Sequence, residues 1–167
     1  NAIKETNWQN FIVADISSNS VNILLEDSKI KGAIDACIGA MGIVHGPIDL
    51  EMIRDIDEGR KTANECFSHA GAVKIAGIDG KVANMKNQLL ENYRNGDEKA
   101  KLAMDLLGYQ IKKYIGSYAA AMGGLDAVVF TAGIGENTAS IRKRALEGLE
   151  FLGIEIDADV NEKTFGR

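Results

Sequence analysis

Apolar and polar residues in this chain change their period several times, and each change marks an element. Between Phe11 and Ile34 the apolar residues fall in three short β-rich runs, Phe11–Ile16, Val21–Glu26 and Lys29–Ile34. The turn formers Ser17, Ser18, Asn19 and Ser20 part the first two, and Asp27 and Ser28 the last two. A meander of three antiparallel strands follows. Glycine-rich punctuation then precedes Pro47, the only proline, after which Ile48, Met52, Ile53 and Ile56 recur at helical spacing. Helices are predicted over about 47–57 and 61–70. From Asp97 the pattern is strongest, with Leu102, Leu106, Leu107, Ile111, Ile115 and Tyr118 on one helical face and Lys101, Lys112 and Lys113 elsewhere. This predicts a helix of roughly 97–121, acidic in its first turn and closed by a left-handed Gly123 or Gly124. The apolar run Ala127–Thr131 reads as a strand covered on both faces. Ile141, Ala145, Leu146, Leu149 and Leu152 mark a last helix, stopping at Gly153. The class is α/β with a mixed sheet.

Composition narrows the picture. With 167 residues, 46% hydrophobic and 26% charged, the chain is an ordinary globular sequence long enough for one buried core, so one domain is expected. A net charge of −5, with no Lys/Arg run longer than two, argues against a nucleic-acid partner or an anionic membrane surface. No apolar run approaches the roughly 20 residues that span a bilayer. Cys37 and Cys66 have neither metal-ligand spacing nor a disulfide framework, and both read as buried thiols in a reducing, cytoplasmic compartment. The chain starts with Asn, not Met, as a trimmed or engineered piece would.

Two stretches carry candidate chemistry. At the end of strand 127–131, Gly133 and Gly135 let a ligand approach the backbone, and Asn137 or Thr138 is placed to cap the following helix. A nucleotide or anion site fits this pattern, and so does a tight turn without a ligand. At the end of the first strand, Asp15 can attend a Mg²⁺ hydration shell or orient a nucleophile, while Ser17, Ser18, Asn19 and Ser20 offer donors to phosphate. A hairpin whose Asp and Asn only satisfy the turn would look the same.

The stretch from Tyr114 to Asp157, YIGSYAAAMGGLDAVVFTAGIGENTASIRKRALEGLEFLGIEID, with NGDEKAKLA just upstream, closely resembles the C-terminal domain of acetate kinases over about residues 95–160. That resemblance implies the sugar kinase, Hsp70 and actin superfamily, whose two ribonuclease-H-like lobes clasp ATP and Mg²⁺. It implies a single such lobe here, with Gly133, Ile134, Gly135, Glu136 and Asn137 on the adenosine and α-phosphate side. Residues 10–75 resemble, in DACIGAMGIVHGPIDLEMIRDIDEGRKTANECFSHAG, an archaeal methanogenesis marker protein of the same superfamily, so a chimera joined near Gly77–Lys81 is one expectation.

The departures matter as much. Acetate kinases end the strand matching Phe11–Ile16 in a His followed by a Gly-rich turn, where this chain has Asp15 and Ser17-Ser18-Asn19-Ser20. Asp15 resembles instead the superfamily aspartate that attends Mg²⁺ and the attacking water. The arginine that steadies the transferring phosphoryl group aligns with Val44, and the adjacent His45 cannot replace a bidentate clamp. On the adenine side, an Asp and an Arg align with Met85 and Asn87, leaving recognition to the 133–137 turn and Lys86. Acetate kinases also carry a further N-terminal lobe and, beyond the helix matching 138–152, another strand and helix.

Three expectations result. The first is a lobe with weak ATP or ADP binding, with Mg²⁺, and little or no phosphotransferase activity. The second is a ligand-free structural module, engineered or chimeric, one form of which is a homodimer paired along the edge beside 127–131. The third is a dimeric, weak ATPase using Asp15.

Overall fold

The computed structural model describes residues 7–166. These residues cluster into two compact units. The first holds the described residues up to Ile16, Val21–Ile34 and those from Gly108 onward; the second holds Ser17–Ser20 and Asp35–Leu107.

In the first unit, β1 (Phe11–Ile16), β2 (Ser20–Glu26) and β3 (Lys29–Ile34) make the expected meander. Asp27 and Ser28, at φ of 50° and 58°, form the two-residue turn with both φ positive that suits a twisted hairpin. β4 (Ala127–Thr131) joins beside β1, giving the sheet order β3-β2-β1-β4. β1 and β4 run parallel, from Phe11 opposite Ala127 to Asp15 opposite Thr131. Ile12, Ala14 and Ile16 are fully buried, while the alternate Val13 and Asp15 are half-buried.

All five residues of β4 are only half-buried, which corrects the two-faced cover read from its unbroken apolar run. The cause is position: β4 ends the sheet order, and its apolar run serves β1 and the short helix α6 (Ala132–Asn137) that packs back on both strands.

The entry to β4 is pinned by Asp126, whose Oδ2 accepts from the backbone N–H of Gln9 and of Asn10, both at 2.9 Å. These two backbone donors hold the Asp126 carboxyl below its ordinary range. The folded state therefore binds its proton less readily than the unfolded chain, so the contribution is complete above the ordinary carboxylate range and fades as pH falls through the lowered value. Asp126→Asn should lower stability at neutral pH and flatten the acid limb, read as urea midpoints between pH 7 and 3. Equal slopes in both proteins would refute this.

The second unit contains α1 (Leu50–Asp57), α2 (Ala63–Phe67), α3 (Ala72–Ala76) and α4 (Val82–Arg94). α1 starts later than 47 because Asp49 takes the N-cap, accepting from the Met52 N–H at 2.9 Å. The Lys74 ammonium on Asp49, at 2.7 Å, and that capping bond hold the carboxyl below its usual range. Thr62 and Glu65 close a capping box on α2. The single helix predicted over 61–70 stops at Phe67 and resumes as α3. No periodicity had marked α4, yet Met85 and Leu89, one turn apart, are core residues.

The long helix α5 (Glu98–Met122) begins where expected, with Asp97 Oδ1 accepting from the Ala100 N–H at 2.8 Å. It ends in a paired bond, Gly123 N–H to Ala120 O and Gly124 N–H to Ala119 O, around a left-handed Gly123 at φ 74°. Its buried stripe is Ala100, Ala103, Met104, Leu107, Ile111, Ile115 and Ala119; Leu102 and Leu106, assigned to the core from sequence, are 53% and 38% exposed. The alanines occupy the row that faces the core, and the two leucines stand one row away. Cys66 is buried as expected, but Cys37 is exposed, carried outward on a turn whose N–H groups at 37 and 38 bond Asp35 Oδ1.

After α6 come α7 (Ala139–Leu146), a 3₁₀ turn at Glu150–Leu152 and α8 (Ala158–Lys163). The single helix predicted to 152 is broken at Glu147, with ψ 125°, and Gly148, with φ 80°. Among the described residues no helix is long and apolar enough to cross a membrane.

Candidate active site

Parallel strands deliver their carboxyl ends to one edge of a sheet, where open α/β folds place ligands. Here β1 and β4 end side by side at Asp15 and Thr131, and the Thr131 hydroxyl donates to Asp15 Oδ2 at 2.9 Å. The pairing fixes the carboxylate, and Oδ1 has no partner among the described residues. Thr131 was not singled out from sequence, although its place as the last residue of a strand running into a Gly-rich turn marks it.

The chain then turns sharply. Ala132 has a φ of 62°, in the left-handed region that costs an alanine about 1 kcal/mol or more. Gly133–Asn137 follow as a short helix rather than an open loop. Ile134 and Gly135 are buried, Glu136 is half-buried, and Gly133 and Asn137 are exposed. A Cβ at Gly135 would meet Ala14 O and Phe130 C at 3.5 Å, an ordinary contact distance. The capping role read for Asn137 or Thr138 is not observed. Thr138 makes no side-chain cap bond, and Asn137 Nδ2 donates back to Gly133 O at 3.1 Å. An extra helical turn at 132–137 takes the place of the loop that such a cap would have followed.

The second unit holds the serine-rich turn. Ser17 O accepts from the Ile43 N–H, and Ser18 O from the N–H groups of Val44 and His45, each at 3.0 Å. Ser17 and Ser18 are half-buried, Asn19 is exposed, and Ser20 is fully buried with its hydroxyl unpaired. The irregular segment 42–45 is bonded in turn to the start of α3, with Ala72 N–H on Gly42 O and Val73 N–H on Ile43 O. Val44 is wholly buried, and the His45 ring stacks on Phe67 at 4.8 Å. Both therefore have packing roles. Met85 is core, while Asn87 is exposed.

Sequence reasoning missed Arg142. It is 6% exposed, and its guanidinium spends all five N–H groups on the turn and the C-terminal segment. Nη1 donates to Gly135 O at 2.9 Å and Glu136 O at 2.7 Å. Nε donates to Asn161 Oδ1 at 2.7 Å, and Nη2 to Asn161 O at 2.6 Å and Thr164 O at 3.0 Å. Burial pushes the guanidinium's proton affinity down, only partly offset by Glu162. The available signal was spacing: Arg142 stands three residues before Ala145 and seven before Leu149, in line with the apolar face.

Among the described residues no group of three His, Cys, Asp or Glu is arranged to hold a metal. A Mg²⁺ that keeps most of its waters asks less, one or two carboxylates, and the Thr131-held Asp15 fits that demand.

Comparison with known proteins places this geometry. The model of the acetokinase family matches residues 38–167. A UPF0285 protein of Methanothermobacter thermautotrophicus is 56% identical over 135 residues, 81% of this chain and 40% of that protein. Another, from Methanocaldococcus jannaschii, is 47% identical over 152 residues, 89% of this chain and 46% of its own. Among solved structures, Porphyromonas gingivalis acetate kinase superposes with a TM-score of 0.76 at 29% identity, over 95% of this chain and 41% of that one. A Francisella tularensis propionate kinase gives 0.75 at 27%, over 97% and 43%. The chain thus spans less than half the length of each.

Proposed function

The chain belongs to the acetokinase family, and we propose that it forms one lobe of an adenine-nucleotide site, binding ATP or ADP with Mg²⁺ weakly and transferring little or no phosphoryl group by itself. The observation that carries this reading is the bond between Thr131 and Asp15 at the ends of adjacent parallel strands, directly before the 133–137 turn. Its support is threefold. The carboxylate is oriented, the strained Ala132 lies where functional turns store strain, and 95% of this chain superposes on part of a solved acetate kinase.

In this reading Asp15 steadies the hydration shell of Mg²⁺, Thr131 holds Asp15, and the exposed atoms of Gly133, Glu136 and Asn137 face the nucleotide. Ile134 and Gly135 support the turn from inside. When bound, the nucleotide brings the phosphoryl group and the metal brings charge neutralisation. With Val44 buried at the arginine position, no guanidinium is supplied there, which is why turnover is expected to be slight.

Titration with ADP and ATP, with and without Mg²⁺, followed by amide NMR, tests this. Shifts at 15–16 and 131–137 at millimolar nucleotide are expected, with the Mg²⁺-dependent part lost in Asp15→Asn. Unmoved amides in both segments would end the proposal.

A further inference from the structure

Arg142 does more than fill space. Two of its five donors reach the carbonyls of Gly135 and Glu136 in the candidate nucleotide turn, and three reach Asn161 and Thr164, so one side chain ties α6 to α8 and the residues after it. Asn161 closes the circuit by donating Nδ2 to Ala139 O at 3.0 Å, the first residue of the helix that carries Arg142. The acceptors are carbonyl and amide oxygens, none a carboxylate. A buried positive charge therefore stands behind the turn. Carbonyls that accept from a guanidinium polarise their own peptide groups, and the N–H groups of Glu136 and Asn137 belong to those peptides.

We propose that Arg142 is the positioning residue of the turn, fixing 133–137 for an anionic ligand and coupling it energetically to α8. The inference rests on the nucleotide reading only for the identity of that ligand. Coupling is reciprocal: a ligand that orders the turn must also steady α8, and loosening α8 must weaken the ligand by the same factor. A residue that only stabilised the fold would give no ligand-dependent change at α8.

The test is hydrogen exchange on the parent chain and on Arg142→Lys, with and without ADP and Mg²⁺. Lysine keeps the charge but has three donors in place of five, and no planar fork. In the parent, ADP should slow exchange at 158–163 as well as at 133–137. In Arg142→Lys without nucleotide, exchange at 133–137 should quicken at least tenfold, and ADP should bind at least tenfold more weakly. Protection of 133–137 with no change at 158–163 would overturn the coupling, and so would parent-like exchange at 133–137 in the variant. The parent experiment needs no substitution, so a variant that folds poorly does not blunt it. If ADP protects nothing in the parent, the nucleotide reading fails, and the nucleotide-free comparison alone decides whether Arg142 positions the turn.

Discussion

Replacing Gly42 by alanine is expected to cost the second unit about 3 kcal/mol, because the added methyl has nowhere to go. A Cβ built there lies 2.4 Å from Ser18 O, 2.5 Å from Asn19 C and 2.7 Å from Asn19 Cα, all backbone atoms. Backbone cannot swing aside as a side-chain tip can. Either the turn Ser17–Asn19 is displaced, or residue 42 withdraws from its bonds to His45 O and the Ala72 N–H. A Cβ built on Gly46 would likewise overlap Ala70 O, and one built on Gly71 would lie 2.6 Å from Val44 C, so this is a junction of three backbone segments. Gly116→Ala is the control. It lies inside α5 with nothing within 4 Å of its Cβ, and alanine there should gain about 0.5–1 kcal/mol by stiffening the unfolded chain. Urea midpoints at unchanged slope report both effects, and amide shifts at 17–19 should accompany the first alone. A Gly42→Ala protein as stable as its parent would show that the close approach is not maintained in solution.

The same geometry explains what was legible in the sequence. The meander could be read because strand alternation and two clusters of turn formers are local signals, and β1 to β3 appear within one residue of their expected bounds. The Asp15–Thr131 pair could be read only in half: Asp15 stood out as an acid at a strand end, but its partner is 116 residues away, and the parallel register that joins them has no local signature. Arg142 hid for a different reason. In Ile141-Arg142-Lys143-Arg144 it resembles its solvated neighbours, and only the carbonyls of α6 and α8, contributed by other segments, make it a buried residue. The face of α5 was misread toward Leu102 because hydrophobicity favours leucine, whereas close packing selected Ala100 and Ala103. Membership of the family, in contrast, was carried by contiguous motif residues and needed no tertiary information.

Leucine in place of two buried asparagines should move stability in opposite directions. Asn22, on β2, is completely buried, and neither its side-chain nitrogen nor its oxygen has a partner. Burying an unpaired amide costs about 1–3 kcal/mol, so Asn22→Leu, similar in volume and without that penalty, should stabilise the first unit by a comparable amount. Asn161 is nearly as buried at 8% exposure, but its Oδ1 receives the Arg142 Nε and its Nδ2 serves Ala139 O. Leucine there strands a charged donor and a carbonyl at once, a loss of about 3 kcal/mol, since bonds to charged groups are the strong ones. Hydrophobicity alone predicts a gain at both positions. Denaturation midpoints for the two variants separate the accounts, because only hydrogen-bond satisfaction gives opposite signs. A loss at Asn22 would mean that its amide is satisfied in solution, by an ordered water held within the core.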